Sequence, residues 1–298
     1  MDHRIVDLHV HSTESDGTLT PEEVVFAAKE AGLSALALTD HDTASGAKAA
    51  AEAARSCGIE LIPGIELSTQ YTPSSGKGGS KEIHIVGLYI DPQNELLQQK
   101  TKEFRECRDN RNAKMVAALQ QEGFDITLDA LLAENPDSVI TRANIARFLY
   151  NHGQIKSISE AFDKYIGDGC RCYVGRFKVS PMEAVTLIRQ AGGVAILAHP
   201  LLYHLSSVNL QQLIDDLKGV GLDGIEAIYS TYTTGEEQLV KKIAAQNRLL
   251  ISGGSDFHGA NKPSIHLGCG RGHLYIPYSV LDAIKVRHLS IASSGIKK

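Results

Sequence analysis

The chain has 298 residues, 43% of them apolar and 22% charged, with a formal charge of −5. That length suits one large domain or a domain carrying an insertion, and no low-complexity tract interrupts it. The mildly acidic balance excludes a broad electropositive face for duplex DNA, so an anionic substrate would be drawn in by bound metals or a few arginines.

No stretch approaches the roughly 18 consecutive apolar residues of a membrane span. The opening MDHRIVDLHVHS lacks the basic, then apolar, then small-residue order of a signal peptide. The cysteines, Cys57, Cys107, Cys170, Cys172 and Cys269, are odd in number and form no CxxC pair, which predicts reduced thiols in the cytoplasm. Cys170 and Cys172 stand two apart, which alone is a weak metal signal. Nothing in the sequence points to a protein partner.

In chain order, strand-like apolar runs occur at 4–9, 34–40, 60–66, 82–90, 193–199, 223–229 and 248–256. Helical patterns lie between most of them. In TPEEVVFAAKEA, Thr20 suits an N-cap, Pro21 the first helical position and Glu23 a capping box, and Gly32 ends the helix. Residues 44–57 and 181–191 read the same way. Strand and helix in alternation predict an α/β fold with a parallel sheet. Residues 94–178 break that rhythm. They hold a long amphipathic helical pattern with apolar Phe104, Met115, Val116 and Leu119, then helical patterns in TRANIARFLYNHG and SISEAFDKYIG. Some 85 residues exceed a usual crossover, so 94–178 reads as a helical insertion over one end of a barrel or sheet, and 1–93 with 179–298 as the discontinuous domain that forms it.

The chemistry follows from where ionisable residues fall. His9 and His11 share one face of the first strand, because strand side chains alternate. Asp16 lies in the following loop. His41 follows the second strand, Glu66 ends the third, His84 lies inside the fourth, His199 ends the fifth, and Asp256 with His258 follows the last. Functional groups in parallel α/β folds gather at the carboxyl ends of strands. Six of the twelve histidines sit at strand-related positions with carboxylates between them. So many polar groups at one barrel mouth would be costly without compensation, and divalent metals would supply it. An imidazole and carboxylate set without thiolate suits Mn, Fe or Zn. Nine ligands exceed one ion, so two or three ions are expected. Asp40 is open to two roles, a helix cap or support for the histidines. GCGRGH at 268–273 does not match a phosphate loop and reads as a flexible loop rimming the site.

DLHVHS, TDHD, PGIE, the histidine strand, AHP and GSDFHG, in this order, resemble the PHP (polymerase and histidinol phosphatase) family of metal-dependent phosphoesterases. The resemblance implies a distorted (β/α)7 barrel with a trinuclear metal centre; of Mn, Fe and Zn, manganese is favoured. It implies a first ion on His9, His11, Glu66 and Asp256, a second on Glu66, His84 and His199, and a third on Asp16, His41 and His258. The 94–178 insertion is similar to the branch of 3′,5′-nucleotide bisphosphate phosphatases and RNase AM. Those remove the 5′-phosphate of bisphosphates or trim short single-stranded RNA from its 5′ end. The branch implies that Arg142 contacts the substrate phosphate. The chain departs from it at Ala143-Asn144, where a Pro-His pair is usual.

By that resemblance the reaction is attack on phosphorus by a metal-bound hydroxide. Arg142 is the first candidate to grip the phosphate, Arg176 and Lys178 are weaker ones, and Asp40 or a bound water is the candidate proton donor. Tyr203, Tyr229, Tyr232 and Phe257 are candidates for an aromatic wall against a base. Two alternatives stand beside this reading: a histidinol-phosphate phosphatase, and a metal-binding module without catalysis.

Overall fold

The computed structural model describes residues 3–73, 80–135, 140–167, 169–175 and 179–295. β1 (Val6–Val10), α1 (Pro21–Glu30), β2 (Ala35–Leu38), α2 (Ala47–Cys57) and β3 (Glu60–Tyr71) open the chain. α1 starts as the sequence predicts. The Thr20 hydroxyl accepts the Glu23 N–H at 3.2 Å, and the Glu23 carboxylate accepts the Thr20 N–H at 2.8 Å. β4 (Lys81–Leu88) then leads into α3 (Glu95–Gln121), α4 (Leu128–Glu134), α5 (Arg142–Asn151) and α6 (Ile158–Ala161), the last running into a π-helical turn over Phe162–Ile166. α7 (Pro181–Gln190), β5 (Val194–Leu197), α8 (Ser207–Gly219), β6 (Gly224–Tyr229), α9 (Thr234–Asn247), β7 (Leu250–Gly254) and α10 (Tyr278–Gly295) complete it.

The seven strands form one sheet in the order β1 to β7 and curl into a nearly closed barrel. The edges meet where His11 N–H donates to Phe257 O at 3.0 Å and Asp256 N–H to His9 O at 2.8 Å. Below that contact the buried Asp7 carboxylate fills the seam, accepting the N–H groups of Ser255 at 2.8 Å and Gly268 at 2.9 Å. GCGRGH is therefore tied down against the seam, with His266 and Gly270 exchanging two backbone hydrogen bonds of 2.8 Å. The segment expected to rim the site as a flexible loop is hydrogen-bonded to the seam through Gly268.

The sheet is not wholly parallel. β4 is antiparallel to both β3 and β5. Among the described residues no helix separates β3 from β4, and the antiparallel pairing needs no crossover. β3 also runs on to Tyr71, five residues past Glu66.

Val6, Leu8, Ile62, Val86, Ile196 and Ile228 pack inside the barrel, while Ile65, Leu67, Ile83 and Ile85 pack outward against the α7 and α8 residues Ile188 and Leu213. The helices after β4 enclose a core of their own around Met115, Leu119, Ile145, Leu149 and Ile166. Among the described residues, no helix is long and apolar enough to cross a membrane.

Candidate metal centre

The centre begins with an irregularity in β1. Asp7 pairs with Leu36 and Val10 with Leu38, so β1 holds one extra residue between those pairs. Such a bulge re-aims side chains. Val6 and Leu8 face the barrel interior, yet Val10 packs outside against Val24 and Val25 of α1. His9 and His11, on either side of Val10, therefore both point inward, and their Nε2 atoms lie 3.1 Å apart. Gly254 permits this approach, since a Cβ there would stand 2.1 Å from His9 Cβ.

Glu66 is the hub. Its Oε2 lies 3.2 Å from His9 Nε2, 3.3 Å from His11 Nε2 and 3.0 Å from His41 Nδ1. Its Oε1 lies 2.9 Å from His84 Nδ1 and 3.1 Å from His199 Nε2. His84 reaches it from within its strand because β4 runs backwards, placing His84 opposite Ser68, beyond Glu66. Asp256 Oδ1 lies 3.4 Å from His11 Nε2. Asp16 Oδ1 lies 3.1 Å from His258 Nε2 and 3.9 Å from His41 Nε2. The donor atoms fall into four overlapping groups: His11, Asp16, His41 and His258; His9, Glu66 and His199; His9, His11 and Asp256; His41, Glu66 and His84. All nine sequence-predicted ligands lie in this one cluster. His11 falls between two groups, a sharing that the three-ion assignment does not include.

Charge is tightly coupled here. Burial works against ionising Glu66, but His9, His84 and His41 outweigh it and hold the carboxyl well below its usual range. Asp16 is lowered likewise, against burial, by His258 and His41, and Asp256, also against burial, by Lys262 and His258. His11 and His84 are pushed up to about 9, because their carboxylate neighbours overcome burial. His41 goes the other way, driven down to about 3 chiefly by burial.

These residues fit divalent ions on two counts. Asp16 Oδ1, His41 Nδ1, Glu66 Oε2 and His199 Nδ1 are buried and make no hydrogen bond. Such atoms are costly in a protein interior unless something else satisfies them. The donor set, imidazole and carboxylate only, suits hard to borderline divalent metals. Strained backbone also gathers here: Asp42, His199 and Asp256 adopt φ of 53°, 25° and 56°. Each costs on the order of 1–3 kcal/mol and persists where surrounding structure enforces it.

The other expected site residues fall less uniformly. Asp40 is buried and its oxygens are taken, accepting Ser12 N–H, Ser12 Oγ–H and Ser15 Oγ–H, each at 2.7 Å. It braces the loop that carries Asp16. Arg142 opens α5 and its Nη2 donates to Glu82 Oε2 at 2.8 Å. Glu82 Oε1 in turn lies 3.3 Å from His84 Nε2. Arg176 and Lys178 lie outside the described residues. The tyrosines expected to form an aromatic wall are buried, Tyr203 and Tyr229 against the His199 ring. The tyrosine hydroxyls point inward as donors, Tyr203 to Ala198 O at 2.6 Å and Tyr229 to Asp256 Oδ2 at 2.6 Å, while Tyr232 accepts Leu201 N–H at 3.0 Å. Phe257 packs with the apolar cluster around Val10 and Val24. Cys172 is buried in the insertion core and Cys170 Sγ contacts Phe162 O, so neither joins the centre. Asn144, at the departure from the usual Pro-His pair, is a buried cap partner whose Oδ1 accepts Thr141 N–H at 2.8 Å.

Three residues escaped the sequence reading. Glu226 in β6 accepts His9 Nδ1–H at 3.0 Å with Oε1 and His199 N–H at 2.8 Å with Oε2. Its Gly224-Ile225-Glu226 repeats the Gly64-Ile65-Glu66 of the hub, a signal that was available. Arg108 of α3 is buried and pairs with Asp42, beside His41. Lys262 Nζ donates to Asp256 Oδ2 at 2.5 Å.

Residues 7–176 match the PHP domain, and the geometry adds His199, Asp256 and His258 from beyond that range. A 5′-3′ exoribonuclease of Haemophilus influenzae is 37% identical over 252 residues, covering 85% of this chain and 89% of the relative. A 3′,5′-nucleoside bisphosphate phosphatase of Chromobacterium violaceum is 36% identical over 265 residues, covering 88% and 90%. The structure of a protein of Bifidobacterium adolescentis, assigned as a metal-dependent phosphoesterase, superposes with a TM-score of 0.81 at 31% identity, covering 96% of both chains. Fold, site and these similarities converge: the chain belongs to the PHP family of metal-dependent phosphoesterases.

Proposed function

We propose that this phosphoesterase removes the 5′-phosphate of nucleoside 3′,5′-bisphosphates or trims short single-stranded RNA from its 5′ end, with three divalent ions and manganese as the working metal. The observation that carries this is the position of Arg142 at the open edge of the centre. The side chains of His9 and His11 are 1% and 0% exposed, whereas His84 keeps 19% and His41 11%. The centre therefore opens on the His84 side, where Glu82 and Arg142 stand. A guanidinium there can grip a phosphate bidentately. Phe162 and Tyr173, with ring centroids 6.0 and 5.6 Å from the Arg142 guanidinium, offer the aromatic surface that a base would use. The names of the two relatives, an exoribonuclease and a bisphosphate phosphatase, support the same substrate class.

His9, His11, Glu66 and Asp256 would hold one ion, Glu66, His84 and His199 a second, and Asp16, His41 and His258 a third. When bound, such ions neutralise phosphate oxygens and acidify a water toward a pKa of about 7. Glu66 joins the groups, Glu226 fixes His9, and Asp40 holds the loop of Asp16 in place. The helical insertion, 94–178, would serve as a cap that brings Arg142 over the barrel of 1–93 and 179–298.

Glu82 favours a second reading. A partly exposed carboxylate at the mouth suits a cationic amine phosphate such as histidinol phosphate, although Arg142 already engages it. Phosphate release by the manganese-loaded protein from adenosine 3′,5′-bisphosphate, AMP, histidinol phosphate and a 5′-phosphorylated oligoribonucleotide separates the readings. Preference for the bisphosphate or the oligonucleotide is expected. Preference for histidinol phosphate supports the second reading, and no turnover of any of the four contradicts catalysis.

A further inference from the structure

Asp16 divides its two oxygens between two parts of the chain. Oδ1 turns into the centre, 3.1 Å from His258 Nε2 and 3.9 Å from both His41 Nε2 and His11 Nδ1, and makes no hydrogen bond. Oδ2 turns out of it to the hydroxyl of Thr141 at 3.0 Å, whose single proton it shares with Asn144 Oδ1 at 2.8 Å. Thr141 lies 125 residues further along the chain and is the N-cap of α5. It is 6% exposed, and its own backbone N–H is held by Asn144. The hydroxyl is thus presented from a rigid helix terminus, with the capping box fixing its direction.

A carboxylate with one free oxygen can rotate and lose its aim at an ion. A hydrogen bond to the other oxygen removes that freedom, which is how groups behind a ligand raise metal affinity. His9 receives such support from Glu226, within the barrel. Asp16 receives its support from the helices outside it. α5 also contacts the loop after β7, where Arg147 Nη2 donates to Ala260 O at 3.2 Å and the neighbouring Asn261 Nδ2 donates to Asp16 O at 2.5 Å. The backbone and the carboxylate of Asp16 are therefore both held by elements that meet α5.

We propose that Thr141 is a positioning residue for the Asp16, His41 and His258 group, so that docking of α5 and occupancy of that group by a divalent ion support each other. The coupling is reciprocal by linkage: an ion that Thr141 helps to bind must also favour the docked helix. This rests on the reading of Asp16, His41 and His258 as ligands, which the test checks separately.

The test measures bound Mn2+ per chain by equilibrium dialysis, with hydrogen exchange of α5 in the presence and absence of Mn2+. Thr141→Val removes the hydroxyl at nearly constant shape, and Thr141→Ser restores it. Thr127→Val removes the N-cap of α4, also in the insertion, without touching Asp16. Asp16→Asn checks the ligand itself. Expected are wild-type binding in Thr141→Ser and Thr127→Val, and a weakening of one ion by about 10–100-fold in Thr141→Val. Slowing of α5 exchange by Mn2+ should shrink in Thr141→Val. Full binding in Thr141→Val, or equal loss in Thr127→Val, overturns the proposal. Undiminished binding in Asp16→Asn overturns the ligand reading beneath it.

Discussion

His9 Nδ1–H donates to Glu226 Oε1 at 3.0 Å, joining residues 217 apart in sequence. This contact fixes which nitrogen of His9 faces the centre. The opposite nitrogen, Nε2, is then the one that meets Glu66 and His11. Glu226→Ala leaves both the His9 ring N–H and the His199 backbone N–H without an acceptor. The expected result is a fall of about 10–100-fold in Mn2+ affinity, read by calorimetry, with the fold retained by circular dichroism. Unchanged affinity would show that His9 is oriented by other means.

The ion pair of Arg108 with Asp42 is buried, at 4% and 1% side-chain exposure. Asp42 also accepts Ser68 N–H at 2.9 Å, and Arg108 Nη2 donates to Ser68 Oγ at 3.2 Å. Removing one member of a buried pair leaves the other uncompensated, at a cost of about 3–5 kcal/mol. Arg108→Ala is expected to lower stability by that amount in urea denaturation. A loss below about 1 kcal/mol would mean that water reaches Asp42 and that α3 is not anchored there.

Proton linkage supplies a third outcome. In the metal-free protein His11 and His84 titrate at about 9, because carboxylates outweigh burial. A folded-state pKa raised above the ordinary value near 6.5 contributes stability fully below pH 6.5 and loses it as pH rises through 9. A ligating imidazole must be neutral, so ion binding near pH 7 has to expel those protons. Chelated protein should therefore lose thermal stability between about pH 6.5 and 9, while apparent Mn2+ affinity rises over the same range. Calorimetry in buffers of different ionisation enthalpy should show proton release at pH 7. Binding heats that are independent of the buffer would refute it.

His11→Ala and Asp256→Ala should each abolish phosphate release and leave the barrel folded. His11 stands in two donor groups at once, and Asp256 closes the group at the β1–β7 seam. Near wild-type turnover in either variant would remove that residue from the centre.

Much of this was legible in the sequence, for physical reasons. His9 lies in, and His11, His41, His199, Asp256 and His258 follow, short apolar runs that read as strands, so their convergence at one end of the sheet could be anticipated. His84 was harder, because its strand runs backwards and no local pattern marks strand direction. Glu226 lies within an apolar strand and resembles a tolerated polar residue until the barrel closes His9 onto it. Arg108 sits on a helix crowded with charge, where only the docking of that helix shows which side chain is buried. The tyrosines misled for the opposite reason. Their rings suit a base, but their hydroxyls find better partners inward, at Asp256 and at the carbonyl of Ala198.

The most direct test of the account is anomalous scattering from crystals of the protein loaded with Mn2+. The account predicts peaks inside the cluster, each in direct contact with imidazole nitrogens and carboxylate oxygens, with Glu66 between ions and Asp16 Oδ1 on the one nearest His258. Peaks elsewhere, or none in the cluster, would contradict the central claim that these nine side chains form a multinuclear metal centre.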